Sequence, residues 1–87
     1  MATTILYGRA PRAAYRVMMK HGGQWKLWTN YADYGAAELA AVGLIQGGKA
    51  IRCHIIEICK DGSRIVAEVG LVKKLGWPHG KAEVRKL

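Results

Sequence analysis

From Tyr15 onward the chain alternates with a period of two. Tyr15, Val17 and Met19 are separated by Arg16, Met18 and Lys20; "HGGQ" supplies residues tolerant of positive φ; then Trp25, Leu27 and Thr29 alternate with Lys26, Trp28 and Asn30. The pattern predicts an antiparallel hairpin from about Ala14 to Tyr31. Its apolar face holds Tyr15, Val17, Met19, Trp25 and Leu27, and its second face is basic, with Met18 and Trp28 set among Arg16, Lys20 and Lys26. On this reading Trp25 is a core residue and Trp28 a contact residue, unless Trp28 and Met18 are covered by the amino-terminal segment or the tail. An earlier strand, "TTILYG", is expected to pair with this hairpin or lie along the helix that follows.

The period then changes. "DYGAAELAAVGLIQ", Asp33 to Gln46, brings Ala37, Ala40, Ala41, Leu44 and Ile45 onto one face by three-and-four spacing. Asp33 can accept from the unpaired amides of the first turn, and Gly47-Gly48 stops the helix. Gly35 and Gly43 each weaken a helix by about 1 kcal/mol relative to Ala, so packing must hold it, and the run of alanines implies close approach to a sheet.

A second hairpin follows in "AIRCHIIEICKDGSRIVAEVGLV". A three-residue loop of Lys60, Asp61 and Gly62 sets Ile51, Cys53 and Ile55 against Leu71, Val69 and Ala67, leaving Arg52, His54, Ile56, Ile58, Arg64, Val66 and Glu68 on a mixed second face. A two-residue Asp61-Gly62 turn would exchange these partners. Glu57 falls on the inward face and so should stand at the sheet edge or pair with a cation. The expected fold class is α+β: a single small domain spanning 1–87, with two antiparallel β-hairpins around one α-helix (ββαββ). Residues 73–87, "KKLGWPHGKAEVRKL", form a basic carboxy-terminal segment, expected as a mobile arm or a short helix.

Charge narrows the function. Fourteen Lys and Arg against six Asp and Glu give a net charge of +8. That field suits nucleic acid, a nucleoprotein complex or an acidic protein surface, although it also serves solubility. No apolar run reaches the ~20 residues of a membrane-spanning helix or forms a signal-peptide core, so the expectation is a cytoplasmic protein with no membrane partner. Cys53 and Cys59, six residues apart on one strand, would lie about 20 Å from each other, beyond disulfide reach.

Catalytic constellations are poorly supplied. Three histidines and two cysteines match no zinc-ligand spacing. Ser63 has no strand-to-helix elbow, and nothing in sequence brings Cys59 to His21 or His79. "QGGKA" follows a helix instead of opening one, which rules against a phosphate loop. No enzyme and no cofactor are expected; the contrary reading is a small nuclease using His54 or His79 with a carboxylate. The candidate contact residues are Arg16, Lys20, Lys26 and Trp28, joined by Arg9 and Arg12 and by Lys73, Lys74, Lys81, Arg85 and Lys86 of the tail. Cations of this kind meet phosphates, and an unpaired base can stack on the indole.

The order of "YRVMMKHGGQWKLW", "AAELAAVGLIQGG" and "IRCHIIEICKDGSRIVAEV", over about residues 14 to 72, resembles the architecture of small proteins of phages and other mobile elements, including anti-CRISPR proteins. The resemblance implies a non-enzymatic inhibitor occupying a larger nucleoprotein machine, and it supplies no site residues. The alternative is a free-standing DNA- or RNA-binding regulator. Either is a monomer or a homodimer, with Ile56, Ile58 and Val66 as the candidate dimer surface.

Overall fold

The computed structural model describes residues 14–60, 62–76 and 80–87. The expected strand "TTILYG", Arg9 and Arg12, and the histidine at position 79 lie outside them. Strands β1 (Tyr15–His21) and β2 (Gln24–Tyr31) precede helix α1 (Tyr34–Gln46), and β3 (Arg52–Cys59), β4 (Gly62–Val72) and β5 (Lys81–Lys86) follow it. The fold is α+β, with a five-stranded antiparallel sheet in the order β2-β1-β3-β4-β5. Three strands, not two, therefore follow the helix. The third comes from the tail expected as a helix or a mobile arm, where Ala82 and Val84 alternate with charged neighbours and pair with Leu71 and Val69.

The helix forms where its caps allow. Asp33 has extended backbone, and its Oδ2 accepts from the Ala36 amide at 3.0 Å. At the other end Gly48 takes φ +76, and the amides of Lys49 and Ala50 donate to the Leu44 carbonyl at 2.9 and 3.2 Å. Ala37, Ala41, Leu44 and Ile45 are buried against Val17, Cys53, Ile55, Ala67 and Val69 of the sheet. The small side chains permit the expected close approach: the Cys53 thiol donates to the Ala41 carbonyl oxygen at 3.9 Å. Burial pushes the pKa of that thiol up to about 11, because a thiolate there would lose its hydration. Each of the larger buried side chains contributes about 1.5–3 kcal/mol of apolar burial.

Both hairpins carry the same departure from simple alternation. In the first, Gly22 and Gly23 have φ of 61° and 81°, the left-handed pair of a type I′ turn, which makes His21 face Gln24 and Lys20 face Trp25. Further from the turn Val17 faces Thr29 and Tyr15 faces Tyr31, so one residue of β2 has no partner in β1. That residue is Trp28, a β-bulge. In the second hairpin Cys59 faces Gly62 at the turn while Ile55 faces Ala67 and Cys53 faces Val69, and Val66 is the unpaired residue. The sheet's middle thus pairs as a three-residue loop would dictate. The ends nearest the turns are shifted by one.

The shift moves side chains between faces. Trp25 and Leu27 leave the expected core face and lie on the side opposite the helix, 39% and 55% exposed. Arg64, expected on the mixed face, joins Glu57 on the helix side, where its Nη2 and Nε lie 2.8 and 2.9 Å from Glu57 Oε1. The inward Glu57 therefore has its cation. Ile65 takes the place expected for Val66 and faces Ile56.

Candidate nucleic-acid interface

One face of the sheet carries α1; no described element covers the other. Cross-strand pairing arranges that open face in rows. The central row runs Leu27, Met18, His54, Glu68, Arg85 across all five strands, and the next runs Trp25, Lys20, Arg52, Gly70, Glu83. On the far side of the central row stand Asn30, Arg16, Ile56 and Ile65.

The two rows are joined by a ring stack. The Trp25 indole leans across β1 onto the His54 imidazole, with centroids 4.2 Å apart and planes 25° from parallel. Lys20, directly opposite Trp25 on β1, places its ammonium 5.8 Å from the indole centroid, within cation–π range. His54 Nε2 lies 3.1 Å from Glu68 Oε2. An ionised carboxylate can only accept, so this nitrogen carries the hydrogen and the imidazole is fixed in orientation behind the indole.

Glu68 also draws the guanidinium groups of Arg85 at 3.7 Å and Arg52 at 4.0 Å. The His54 hydrogen bond, with Arg52 and Arg85 nearby, holds its carboxyl below the ordinary carboxylate value. A carboxylate in the middle of a basic face is thereby neutralised by its neighbours. Arg16 is steadied separately, its Nε donating to Asn30 Oδ1 at 3.3 Å.

Of the residues expected to make contact, Arg16, Lys20, Lys81 and Arg85 share this face. Lys73 and Lys74 lie in the β4–β5 connection. Lys26 and Trp28, expected on the same face as Arg16 and Lys20, instead belong to the opposite side, and Lys86 of the tail lies there too. Lys26 faces Met19. Lys86 faces Ala67 and holds its ammonium 5.3 Å from the Tyr34 ring centroid. The bulge turns Trp28 toward the helix side, where its Nε1 donates to Tyr31 Oη at 3.2 Å and the Lys49 ammonium lies 5.9 Å from its centroid. Trp28 is 43% exposed, but apart from Arg16 and Lys20.

Trp25, Arg52 and His54 are the site residues that alternation alone missed. Arg52 and His54 already stood on the mixed face of the second hairpin. Trp25 was recoverable from the turn, since Gly-Gly favours a two-residue connection that sets Trp25 opposite Lys20.

Among the described residues no three His, Cys, Asp or Glu side chains group as a metal ion would require, and no helix is long and apolar enough to cross a membrane. Comparison of the chain with protein-family profiles, curated proteins and solved structures found no match.

Proposed function

We propose that the protein is a non-enzymatic nucleic-acid-binding protein that works through the open face of its sheet. The observation that carries this reading is a half-exposed indole, Trp25, held by His54 and flanked by Lys20 on a face that also presents Arg16, Arg52 and Arg85. Cations supply phosphate attraction through counterion release, and the indole supplies an apolar plane for a base. An acidic protein surface would use the cations but has no comparable need for the ring. A nucleoprotein machine that displays part of its nucleic acid offers the same chemistry, so an inhibitor of the phage type would use the same face.

The test is a gel shift with mixed-sequence DNA and RNA, beside affinity purification from a bacterial lysate with and without nuclease. Direct shifts, or a nucleoprotein partner released by nuclease, support the reading. Capture of a protein partner that survives nuclease, with no shift of any nucleic acid, would contradict it.

A further inference from the structure

Gly70 interrupts the open face. It follows Trp25, Lys20 and Arg52 in the same row, and where those residues raise side chains above the sheet it raises none. The result is a depression of about 120 Å³ bordered by Arg52, Arg85, Glu68 and Glu83. Its border mixes donors with acceptors. Two carboxylates make it a poor seat for a phosphate, whereas a base edge, which carries both donors and acceptors, is matched by such a border.

The apolar content of the face points the same way. Met18, Leu27, Ile56 and Ile65 lie among the cations. A duplex keeps its base planes stacked inward and would set charged phosphates against these side chains. Five strands at about 4.8 Å spacing also make the sheet roughly 19 Å wide, too broad for a major groove of about 12 Å. An unpaired strand has no such conflict, and a small sheet offers room for about two or three bases.

From the row geometry we infer that the open face binds an unpaired polynucleotide strand, one base lying against the Trp25 indole and a second entering the depression over Gly70, which stands three strands along the same row. The inference rests on the reading that this face binds nucleic acid, and names the form of nucleic acid it takes. Lys20 and Arg52, between the two base positions, meet the backbone that connects them.

Gly70 gives the inference a clean test. Its φ is not positive, and a Cβ added there meets nothing within 4 Å, so Gly70→Val should fold while filling the depression. The measurement is fluorescence anisotropy of labelled single strands, DNA and RNA of one mixed sequence, against each strand annealed to its complement. Thermal melts accompany every variant, with Gly70→Ser and Trp25→Phe as the milder pair. The single strand of at least one chemistry should bind about tenfold or more tighter than its duplex. Trp25→Leu should weaken that binding by about tenfold, the scale of one lost base stack, with Trp25→Phe retaining most of it. Gly70→Val should weaken it too, with Gly70→Ser between Val and wild type, and neither should alter duplex binding. Duplex bound as tightly as single strand, or single-strand affinity unchanged by Trp25→Leu or by Gly70→Val, would overturn the inference while leaving a nucleic-acid face standing. Failure to bind any of the probes would overturn both.

Discussion

Trp25 and His54, two strands apart in the sheet, lie ring against ring at 4.2 Å on the face that the helix does not cover. The contact bridges β2 and β3 over the top of β1, and through the His54–Glu68 hydrogen bond it continues to β4. An aromatic ring is thus held in place without being buried, as a stacking platform requires.

Stability should separate this ring from the core. Ile55 is fully buried beneath the helix, so Ile55→Ala should cost about 2–5 kcal/mol in urea unfolding. Trp25→Ala removes a larger side chain but a partly exposed one that leaves no closed cavity, and should cost less than Ile55→Ala, chiefly the ring stack and its partial burial. A Trp25→Ala loss equal to that of Ile55→Ala would mean that the indole belongs to a second core layer.

Glu68 sets an acid response. Its folded-state pKa lies below the unfolded carboxylate value of about 4.3, so its stabilising contribution is complete above that value and is lost as pH falls through the folded one. Wild-type protein should therefore lose more stability than Glu68→Gln between about pH 5 and pH 3. Parallel acid limbs for the two proteins would show that the cluster of His54, Arg52 and Arg85 does not act on this carboxylate.

The two cysteines should differ sharply toward a thiol reagent. Cys59 is exposed at the end of β3, whereas Cys53 is buried with a pKa pushed up to about 11. Near neutral pH the native protein should titrate one thiol quickly and the second only after denaturation, since the thiolate is the reacting form. Two fast thiols would indicate that the contact between α1 and β3 opens readily.

The first turn should tolerate only particular residues. Gly22 and Gly23 both have left-handed φ, so Gly22→Asn should keep the melting temperature close to wild type, while Gly23→Val should lose about 1–2 kcal/mol to the strain of a β-branched residue there. An unperturbed Gly23→Val would argue for a different connection, and with it a different placement of Trp25.

Much of the fold was legible in the sequence because it rested on local signals. The Asp33 cap and the alanine-rich helix with its glycine stop follow from capping and periodicity, and the partners of Cys53 and Ile55 from the three-residue loop expected for the second hairpin. The faces near the turns were not legible. A three-residue loop with regular pairing and a two-residue turn with one bulge give identical partners in the middle of a hairpin, and differ by one residue toward the turn. Alternation cannot distinguish them, and that single residue decides whether Trp25 or Trp28 joins Arg16 and Lys20. The fifth strand was obscured differently: "KAEVRK" has only Ala82 and Val84 to mark its inward face, and it forms against an edge of β4 that the sequence does not announce.

The most direct test of the open face is the salt dependence of nucleic-acid affinity, wild type against an Arg16→Gln, Lys20→Gln double variant. Each phosphate neutralised on a single strand adds about 0.7 to the slope of log K against log salt, so the double variant should bind more weakly, with a slope shallower by about 1.4. A wild-type affinity indifferent to salt, or a slope that the double variant leaves unchanged, would contradict the assignment of this face to nucleic acid.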